Sequence, residues 1–321
     1  MSNIKNNCTF ATSKHDGMKI PYFILITCCC LFWGASPMQG QELIQIKKKY
    51  RKMLIPASDN SDTLMAALVK IPKEKIVSDQ MVQELMNRYP FDLKAIEEYV
   101  GKVRPDGSFS DIDYQDTKRS GWQPKQHAER VLELCKLYES PTTPYYHRDT
   151  LRDAIHQLID FWIEKKPKCL NWWYNQIGVP RSFGQAFLLF EDHMTEKEKQ
   201  GAIEIMKQSK FGMTGQNKVW EASNVMIRGL LQNDEQLVRE ARDTIFSEIR
   251  NHGTEGIQPD WSYQLHGPQL QFGNYGMAFL SSMAFFYQLF QGTSYQMSDA
   301  QTNILTHLIN DGFRWTIWHS A

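Results

Sequence analysis

The sequence predicts an all-α protein built from antiparallel helix pairs, and three observations support this class. Apolar residues recur at helical spacing through most of the chain from about residue 60 onward. The helical segments are about 12 to 18 residues long with short connections between them, an arrangement typical of antiparallel neighbours. Strand signals are scarce, because no alternating apolar run flanks an Asn-Gly or Asp-Gly turn.

Individual helices can be justified from their ends and their apolar faces. The segment from Thr195 carries a Ser/Thr-x-x-Glu capping box with Glu198, which predicts a helix start. The segment from Asn233 to Gly253 begins with an Asn-Asp cap and ends on a glycine stop signal. The segment 275–292 is apolar nearly all round and predicts an inner helix. One stripe of the segment 149–166 contains Leu151, Ala154, Ile155, Leu158, Ile159 and Trp162.

The beginning of the chain has the pattern of an export signal. An apolar run from Tyr22 to Trp33 follows a lysine and precedes several small residues. The run of about 12 residues is too short to span a bilayer but suits a signal-peptide core. We expect residues 1–40 to be a signal peptide, with Met18 as an alternative start, and the protein to be secreted or periplasmic with no stable membrane span after cleavage. A lipid anchor on Cys28–Cys30 and a buried N-terminal helix are the alternatives.

Composition and motifs exclude several function classes. Lys plus Arg and Asp plus Glu both number 36, so no overall charge favours nucleic acid as a partner. The chain has no Gly-rich phosphate loop, no HExxH and no GxSxG motif. The nine histidines include no i, i+4 pair, so we expect no metal site and no cofactor. Outside the leader only Cys135 and Cys169 remain, and we expect two buried free thiols.

Four stretches use polar and aromatic residues where a helical protein would place core residues. Loops at one end of an array of helix pairs gather around a cleft, so the four stretches predict one site. The nine tryptophans fit either sugar binding or a large helical core. The stretches are "DGSFSDIDYQDTKRSGWQPKQH" (106–127), "CLNWWYNQIGVPRS" (169–182), "FGMTGQNKVW" (211–220) and "GIQPDWSYQLHGPQLQFGNYG" (256–276).

These stretches resemble the N-terminal helical domain of polysaccharide lyase family 8, which contains hyaluronate, chondroitin AC and xanthan lyases. The segments "NWWYNQIGVPRS", "TGQNKVW" and "QPDWSYQLHGPQLQFGNYG" carry the resemblance, and "DGSFSDIDYQD" with "RSGWQPKQHAERVL" matches the family's upstream region. The resemblance covers roughly residues 60 to 321, in order. It implies that residues 41–321 form an incomplete (α/α) toroid. It also implies β-elimination of an anionic uronic-acid polysaccharide such as chondroitin or hyaluronan, without metal or cofactor.

The resemblance assigns three catalytic roles. β-Elimination removes the C5 proton of a uronate, and the adjacent carboxylate must be hydrogen-bonded or neutralised so that negative charge can develop. The family motif gives that role to Asn217 and His266, and gives the proton transfers to Tyr275. A free tyrosine has a pKa of about 10, so a tyrosine base needs a cationic neighbour. Without the family match, His266 would be taken as a structural hydrogen-bonding residue, Asn217 as a helix cap and Tyr275 as core.

The resemblance also assigns substrate-binding residues. In the family, paired tryptophans form an aromatic patch against which sugar rings lie, which corresponds here to Trp172 and Trp173. Phe211 extends that patch, and Asn175 assists it. The alternative is that the two indoles belong to the helical core, because large aromatic side chains are as common in such cores.

The chain departs from the family pattern at its end. The family's catalytic arginine and its β-sandwich domains have no counterpart, and Arg314 does not match the arginine's position. We therefore expect a truncated lyase that turns over slowly or not at all. One alternative is a non-catalytic carbohydrate-binding remnant. Another is a glycoside hydrolase using Asp111 and Asp113, although we read these two as turn and cap residues.

Overall fold

The computed structural model describes residues 36–55, 93–141 and 143–316. The chain divides into two compact units, residues 1–40 and 41–321. Nearly all of the predicted signal peptide lies outside the described residues. Within the described ranges, no helix combines the length and the apolar character needed to cross a membrane.

Helices dominate the described ranges. Short π-helical turns lie at Tyr174–Gly178, Phe272–Gly276 and Leu308–Gly312, and 3-10 turns at Glu191–His193 and Phe313–Trp315. In chain order the α-helices are α1 (Ser36–Leu54), α2 (Leu93–Gly101), α3 (Lys125–Glu139), α4 (Asp149–Lys165), α5 (Val179–Phe190), α6 (Glu196–Met206), α7 (Gly215–Gln232), α8 (Glu235–Phe246), α9 (Met277–Phe290) and α10 (Asp299–His307).

The helices from α3 to α9 alternate between two layers. Helices α3, α5, α7 and α9 pack side by side in one layer, and α4 packs on α6 in the other. The sequential pairs α3–α4, α5–α6 and α7–α8 also pack together, as the short connections predict. The prediction of an all-α protein made of antiparallel helix pairs is therefore confirmed.

Most predicted helix signals are confirmed. Buried side chains of α4 follow the predicted stripe from Leu151 to Trp162. The Thr195 hydroxyl accepts a hydrogen bond from the Glu198 amide, and the Glu198 side chain accepts one in return, so the capping box is formed. The predicted helix end at Gly253 is wrong, because α8 ends at Phe246. The chain turns there and brings the buried Glu248 carboxylate to the first residue of α7.

Helix α9 is less enclosed than its apolar sequence predicts. Phe279, Met283 and Phe286 are buried, whereas Met277 and Tyr287 on another face are each 44% exposed. Ala278, Ser281, Ser282 and Phe285 of this helix line a cavity of about 360 Å³. The apolar pattern therefore covers a core face and part of a cavity wall.

Helix α1 was not predicted, and it includes Gly40, near which signal cleavage was expected. Its residues Leu43, Ile46 and Tyr50 are buried. Two ion pairs fix it to the turn after α5, Lys47 with Glu191 and Arg51 with Asp192, each with a nitrogen–oxygen distance of 2.8 Å. This helix closes part of the cavity beside α9, which Tyr50 also lines.

A two-stranded hairpin within residues 256–276 was also missed. Strand β1 (Gly256–Ile257) pairs antiparallel with β2 (Tyr263–Gln264), with Ile257 opposite Tyr263. Each strand is only two residues long, which is below the length that an alternating pattern can reveal. The expectation of free thiols is confirmed, since Cys135 and Cys169 are both unpaired and buried.

Candidate functional site

The predicted site residues lie at the amino-terminal ends of one helical layer. Trp172 and Trp173 precede α5, Asn217 is in the first turn of α7, and Tyr275 lies directly before α9. The Glu248 carboxylate accepts the Gly215 N–H at the start of α7, and the first N–H groups of α5 and α9 donate to the π-helical turns that precede them. These helix starts therefore position the site residues, and their backbone N–H groups are already hydrogen-bonded within the protein.

His266 and Tyr275 form a direct pair. The His266 Nε2 atom lies 3.2 Å from the Tyr275 hydroxyl oxygen, and the two ring centroids are 5.2 Å apart at an angle of 80°. The imidazole is exposed and the phenol is half-buried. His266 has a φ of +61°, a left-handed conformation that is uncommon for a residue other than glycine. Such a conformation persists only where the surrounding structure imposes it, and it is frequent at functional sites.

Glu255 connects the His266 turn to the start of α7. Its carboxylate accepts a hydrogen bond from the Gly267 amide at 3.0 Å and another from the Thr214 hydroxyl at 2.5 Å. Burial tends to raise the pKa of Glu255, but these hydrogen bonds outweigh it, so the pKa lies below its ordinary value. Glu255 therefore remains ionised and holds the two segments together. Sequence reasoning missed it, because no spacing pattern distinguishes a loop glutamate of this kind.

Asn217 lies close to the segment that carries His266. A Cβ atom on Gly215 would lie 2.4 Å from Leu265 Cδ1, and Gly215 has a φ of +56°, so glycine permits the close approach of these segments. Asn217 is not the helix cap, because Thr214 precedes the helix. Asn217 is 9% exposed, and its side-chain amide oxygen, Oδ1, has no hydrogen-bond partner among the described residues. A buried amide oxygen without a partner is costly to maintain.

An aromatic row leads from the tryptophan pair to the His266–Tyr275 pair. The Trp173 and Trp220 ring centroids are 6.0 Å apart, and those of Trp220 and Tyr275 are 5.9 Å apart. Trp172 is 41% exposed and Phe211 is 40% exposed, whereas Trp173 is half-buried. Sequence reasoning assigned no role to Trp220, although its position one turn after Asn217 on α7 was available as a signal.

Asn175 is hydrogen-bonded within its own loop, and its role in substrate binding stays a prediction. Its amide oxygen accepts from the Cys169 N–H at 2.9 Å, and its amide nitrogen donates to the Cys169 carbonyl at 2.8 Å. Both ends of the amide are thus bonded to the backbone. In the same loop the Asn171 side chain accepts from the Trp173 N–H at 3.0 Å. Asn175 therefore shapes the loop that carries the tryptophan pair.

Arg181 lies between two cavities and was also missed. The cavities, of about 360 Å³ and about 330 Å³, adjoin Trp220 and Trp173 respectively, and both contain Arg181 in their walls. Its guanidinium carbon is 5.4 Å from the Trp220 ring centroid. The Arg181 side chain is reached by solvent, but its place in two cavity walls removes part of its hydration. This partial loss of hydration lowers the pKa of Arg181. No carboxylate in the described ranges forms an ion pair with it, so this cation is available to an anionic ligand.

The acidic pair considered for a hydrolase is structural. Arg130 nitrogens lie 2.6 and 2.9 Å from the two Asp111 oxygens, and Lys102 lies 3.1 Å from one of them. The hydrogen bond from Arg130 holds the pKa of Asp111 far below its ordinary range. Asp113 accepts from the Gln115 N–H in a tight turn. Neither carboxyl group is arranged as a general acid or a nucleophile.

Comparison with known proteins identifies the family. Residues 73–321 match the model described as "Polysaccharide lyase family 8, N terminal alpha-helical domain". The chain belongs to polysaccharide lyase family 8. It is similar to chondroitinase-AC of Pedobacter heparinus, with 29% identity over 71% of this chain and 35% of the relative. It is also similar to xanthan lyase of Bacillus sp., with 24% identity over 60% of this chain and 22% of the relative.

Solved structures confirm the fold. A chondroitinase AC lyase structure covers 85% of this chain with a TM-score of 0.68 and 24% identity, and it is matched over 36% of its own length. A Paenibacillus xanthan lyase structure covers 87% of the chain with a TM-score of 0.69 and 20% identity. The prediction of an (α/α) toroid of antiparallel helix pairs is thereby confirmed. The chain spans about a third or less of the length of the curated relatives named above.

Proposed function

We propose that this chain carries the catalytic groups of a lyase that cleaves an anionic, uronic-acid-containing polysaccharide by β-elimination. The observation that carries the proposal is the His266–Tyr275 pair, with Nε2 and the phenol oxygen 3.2 Å apart and the imidazole exposed. The pair lies on the same rim as Asn217 and at the end of an aromatic row. The relatives are named chondroitinase, hyaluronate lyase and xanthan lyase, which supports the same class of chemistry.

The proposed reaction divides the work among three side chains. The Asn217 amide and the His266 imidazole hydrogen-bond the uronate carboxylate, so that negative charge can build up next to C5. The deprotonated Tyr275 oxygen takes the C5 proton, and a double bond forms between C4 and C5 as the C4–oxygen bond breaks. The same phenol then returns its proton to the leaving oxygen. No water is consumed, and the products are one unsaturated uronide end and one ordinary sugar end.

Substrate binding is assigned to the aromatic row and the cation beside it. Exposed faces of Trp172 and Phe211 offer apolar surfaces for sugar rings. Arg181, between its two cavities, offers a positive charge to a uronate or sulfate group further along the polymer. Asn175 contributes indirectly, since its amide fixes the loop before the tryptophan pair.

Product analysis tests this proposal. The chain is incubated at high concentration with hyaluronan and with chondroitin, and the ultraviolet absorbance of the conjugated double bond is followed over a long time. We expect slow formation of the unsaturated product, and we expect Asn217→Ala and His266→Ala to slow it without loss of fold. Tyr287→Phe, which alters an exposed side chain of α9 away from these residues, serves as the control.

Other outcomes separate the competing functions. New reducing ends without the double bond would indicate hydrolysis and overturn the proposal. Retardation of the polymer in affinity electrophoresis without either product would indicate a carbohydrate-binding remnant. We also propose that the protein is exported, on the basis of the apolar run from Tyr22 to Trp33, which lies outside the described residues. Fractionation of cells that express the full chain tests this.

A further inference from the structure

A second group of ionisable side chains lies at the opposite ends of α3 and α5 from the tryptophan pair. Glu139 is the last residue of α3, His147 lies in the loop before α4, and His193 lies in the 3-10 turn after α5. The N-terminal halves of α3 and α5 line a cavity together with Trp173. Each helix is 12 or 15 residues long, which places the group roughly 20 Å from the N-terminal ends of these helices.

The three side chains direct ligand atoms to one point. The His147 Nε2 atom is 3.5 Å from one Glu139 oxygen, and the His193 Nε2 atom is 3.3 Å from the other. The three potential ligand atoms all lie within 4.8 Å of one another. Ligand atoms around a tetrahedral zinc ion, at about 2.0 to 2.2 Å from the metal, are roughly 3.4 Å apart. The observed spacing therefore needs little adjustment to accept an ion.

The Glu139 carboxylate is poorly satisfied by the protein alone. Its side chain is 14% exposed, and its Oε1 atom is buried without a hydrogen bond among the described residues. The His193 nitrogen at 3.3 Å is near this oxygen but does not meet it with hydrogen-bond geometry. A buried carboxylate oxygen of this kind needs a cationic or donor partner.

The surroundings hold the two imidazoles in place. The His147 ring is stacked between Tyr146, at a centroid distance of 4.0 Å, and Tyr138, at 5.0 Å. Tyr138 also meets the edge of His193 at 5.0 Å. His147 has a φ of +50°, a conformation that costs free energy for a residue with a side chain. Rings held in this way lose little further freedom when they bind a ligand.

We propose that Glu139, His147 and His193 form a site for one divalent transition-metal ion, for which Zn²⁺ is the best match. Two imidazole nitrogens and one carboxylate oxygen are a ligand set that zinc accepts, with water in the fourth position. The ion joins the end of α3, the following loop and the turn after α5, and so stabilises this end of the helical layer. The expectation of no metal site rested on spacing along single helices, and these ligands come from three separate segments.

Metal titration tests the site. The full chain, stripped with a chelator, is titrated with Zn²⁺ in a calorimeter, and separately with Co²⁺ while the visible absorption of tetrahedral cobalt is followed. We expect one equivalent of each metal to bind and to raise the unfolding temperature. We expect His147→Ala and His193→Ala each to lower the zinc affinity by at least about 10-fold. His252→Ala, which removes another exposed histidine, should leave it unchanged.

Two results would overturn the proposal. One is the absence of stoichiometric zinc binding by the unaltered chain. The other is zinc binding that persists at full affinity in both histidine variants. Should either alanine variant fail to fold, Glu139→Gln keeps the volume of the side chain and weakens the ligand, so it must still lower the zinc affinity. The rate of polysaccharide cleavage is not a readout here, so failure of this site and failure of the proposed lyase function remain separate.

Discussion

Two histidine–tyrosine pairs lie at hydrogen-bond distance within the described ranges, and their surroundings differ completely. The His127 Nδ1 atom is 2.8 Å from the Tyr114 hydroxyl, and its Nε2 atom is 3.0 Å from the Leu158 carbonyl. His127 is fully buried, with Phe109, Phe161, Trp162 and Phe183 around its ring. His266 and Tyr275, at 3.2 Å, lie on an open rim.

Burial decides what each pair can do. Loss of hydration lowers the pKa of His127 to about 3 and raises the pKa of Tyr114 to about 12. Because the Leu158 carbonyl can only accept, Nε2 of His127 carries the proton and Nδ1 accepts from the Tyr114 hydroxyl. That pair is a fixed, neutral link between a loop and two helices. The rim pair has solvent on one side, so a charged ligand can reach both of its polar atoms.

The largest expected effect comes from removing the phenol oxygen of each pair. Tyr275→Phe should lower the rate of double-bond formation by about 10²- to 10⁴-fold, which is the usual contribution of a general acid–base group. Its unfolding temperature should not change, because the hydroxyl is at an exposed rim. Tyr114→Phe should instead lower the unfolding temperature and leave the rate constant of the folded fraction unchanged. Equal effects of both variants on the rate would contradict the distinction.

The next effect is on stability at the buried pair. His127→Ala removes a buried ring and leaves the Tyr114 hydroxyl and the Leu158 carbonyl without their partner, which should cost about 3 kcal/mol. Chemical denaturation measures this, with His266→Ala as the matched control that should cost little. The folded pKa of His127 is below its unfolded value. Its contribution to stability is therefore present above about pH 6.5 and lost as the pH falls toward 3.

A buried carboxyl group on α7 tests whether burial has the same effect near the proposed site. Glu221 is 2% exposed, and burial raises its pKa from 4.5 to about 7. The folded pKa is above the unfolded one, so its contribution is complete below pH 4.5 and is lost as the pH rises to about 7. Glu221→Gln should therefore stabilise the protein at pH 8, by on the order of 2 kcal/mol, and change little at pH 4. A pH-independent difference between the two proteins would refute this.

The smallest effect is expected at two tryptophans, one exposed and one buried, as are His266 and His127. Trp172 is 41% exposed and Trp162 is 2% exposed. Trp172→Ala should weaken hyaluronan or chondroitin binding by about 1 kcal/mol, roughly 5-fold, through loss of ring stacking, and leave the unfolding temperature unchanged. Trp162→Phe should lower the unfolding temperature and leave polymer affinity unchanged. Affinity electrophoresis and thermal unfolding measure the two quantities on the same samples.

Much of the helical framework could be predicted from sequence because helices obey local rules. The capping box at Thr195 and the apolar stripe of α4 are complete within single segments. The short hairpin of residues 256–264 could not be predicted, because its strands are too brief for a periodic signal. The end of α8 was missed for another reason. Glu248 is needed at the start of α7, a contact between segments that no local pattern encodes.

The residues of the candidate site also fall into two groups, those that a local motif reveals and those that it does not. His266, Tyr275 and Asn217 were found from motifs that resemble the family, and the structure brings the first two into contact. Trp220, Arg181 and Glu255 were missed because their importance arises from neighbours distant in sequence. The assignment of Asn175 to direct sugar contact remains a prediction, and its backbone bonds favour an indirect role.

Glu255 accepts hydrogen bonds from two separate segments, and this has a mechanical consequence. One carboxylate ties the turn of His266 to the first residues of the helix that carries Asn217. Under the proposed function, a sugar acid held by His266 and Asn217 would load both segments at once, and the two segments would move together. The spacing of the two side chains around that sugar acid would then be preserved.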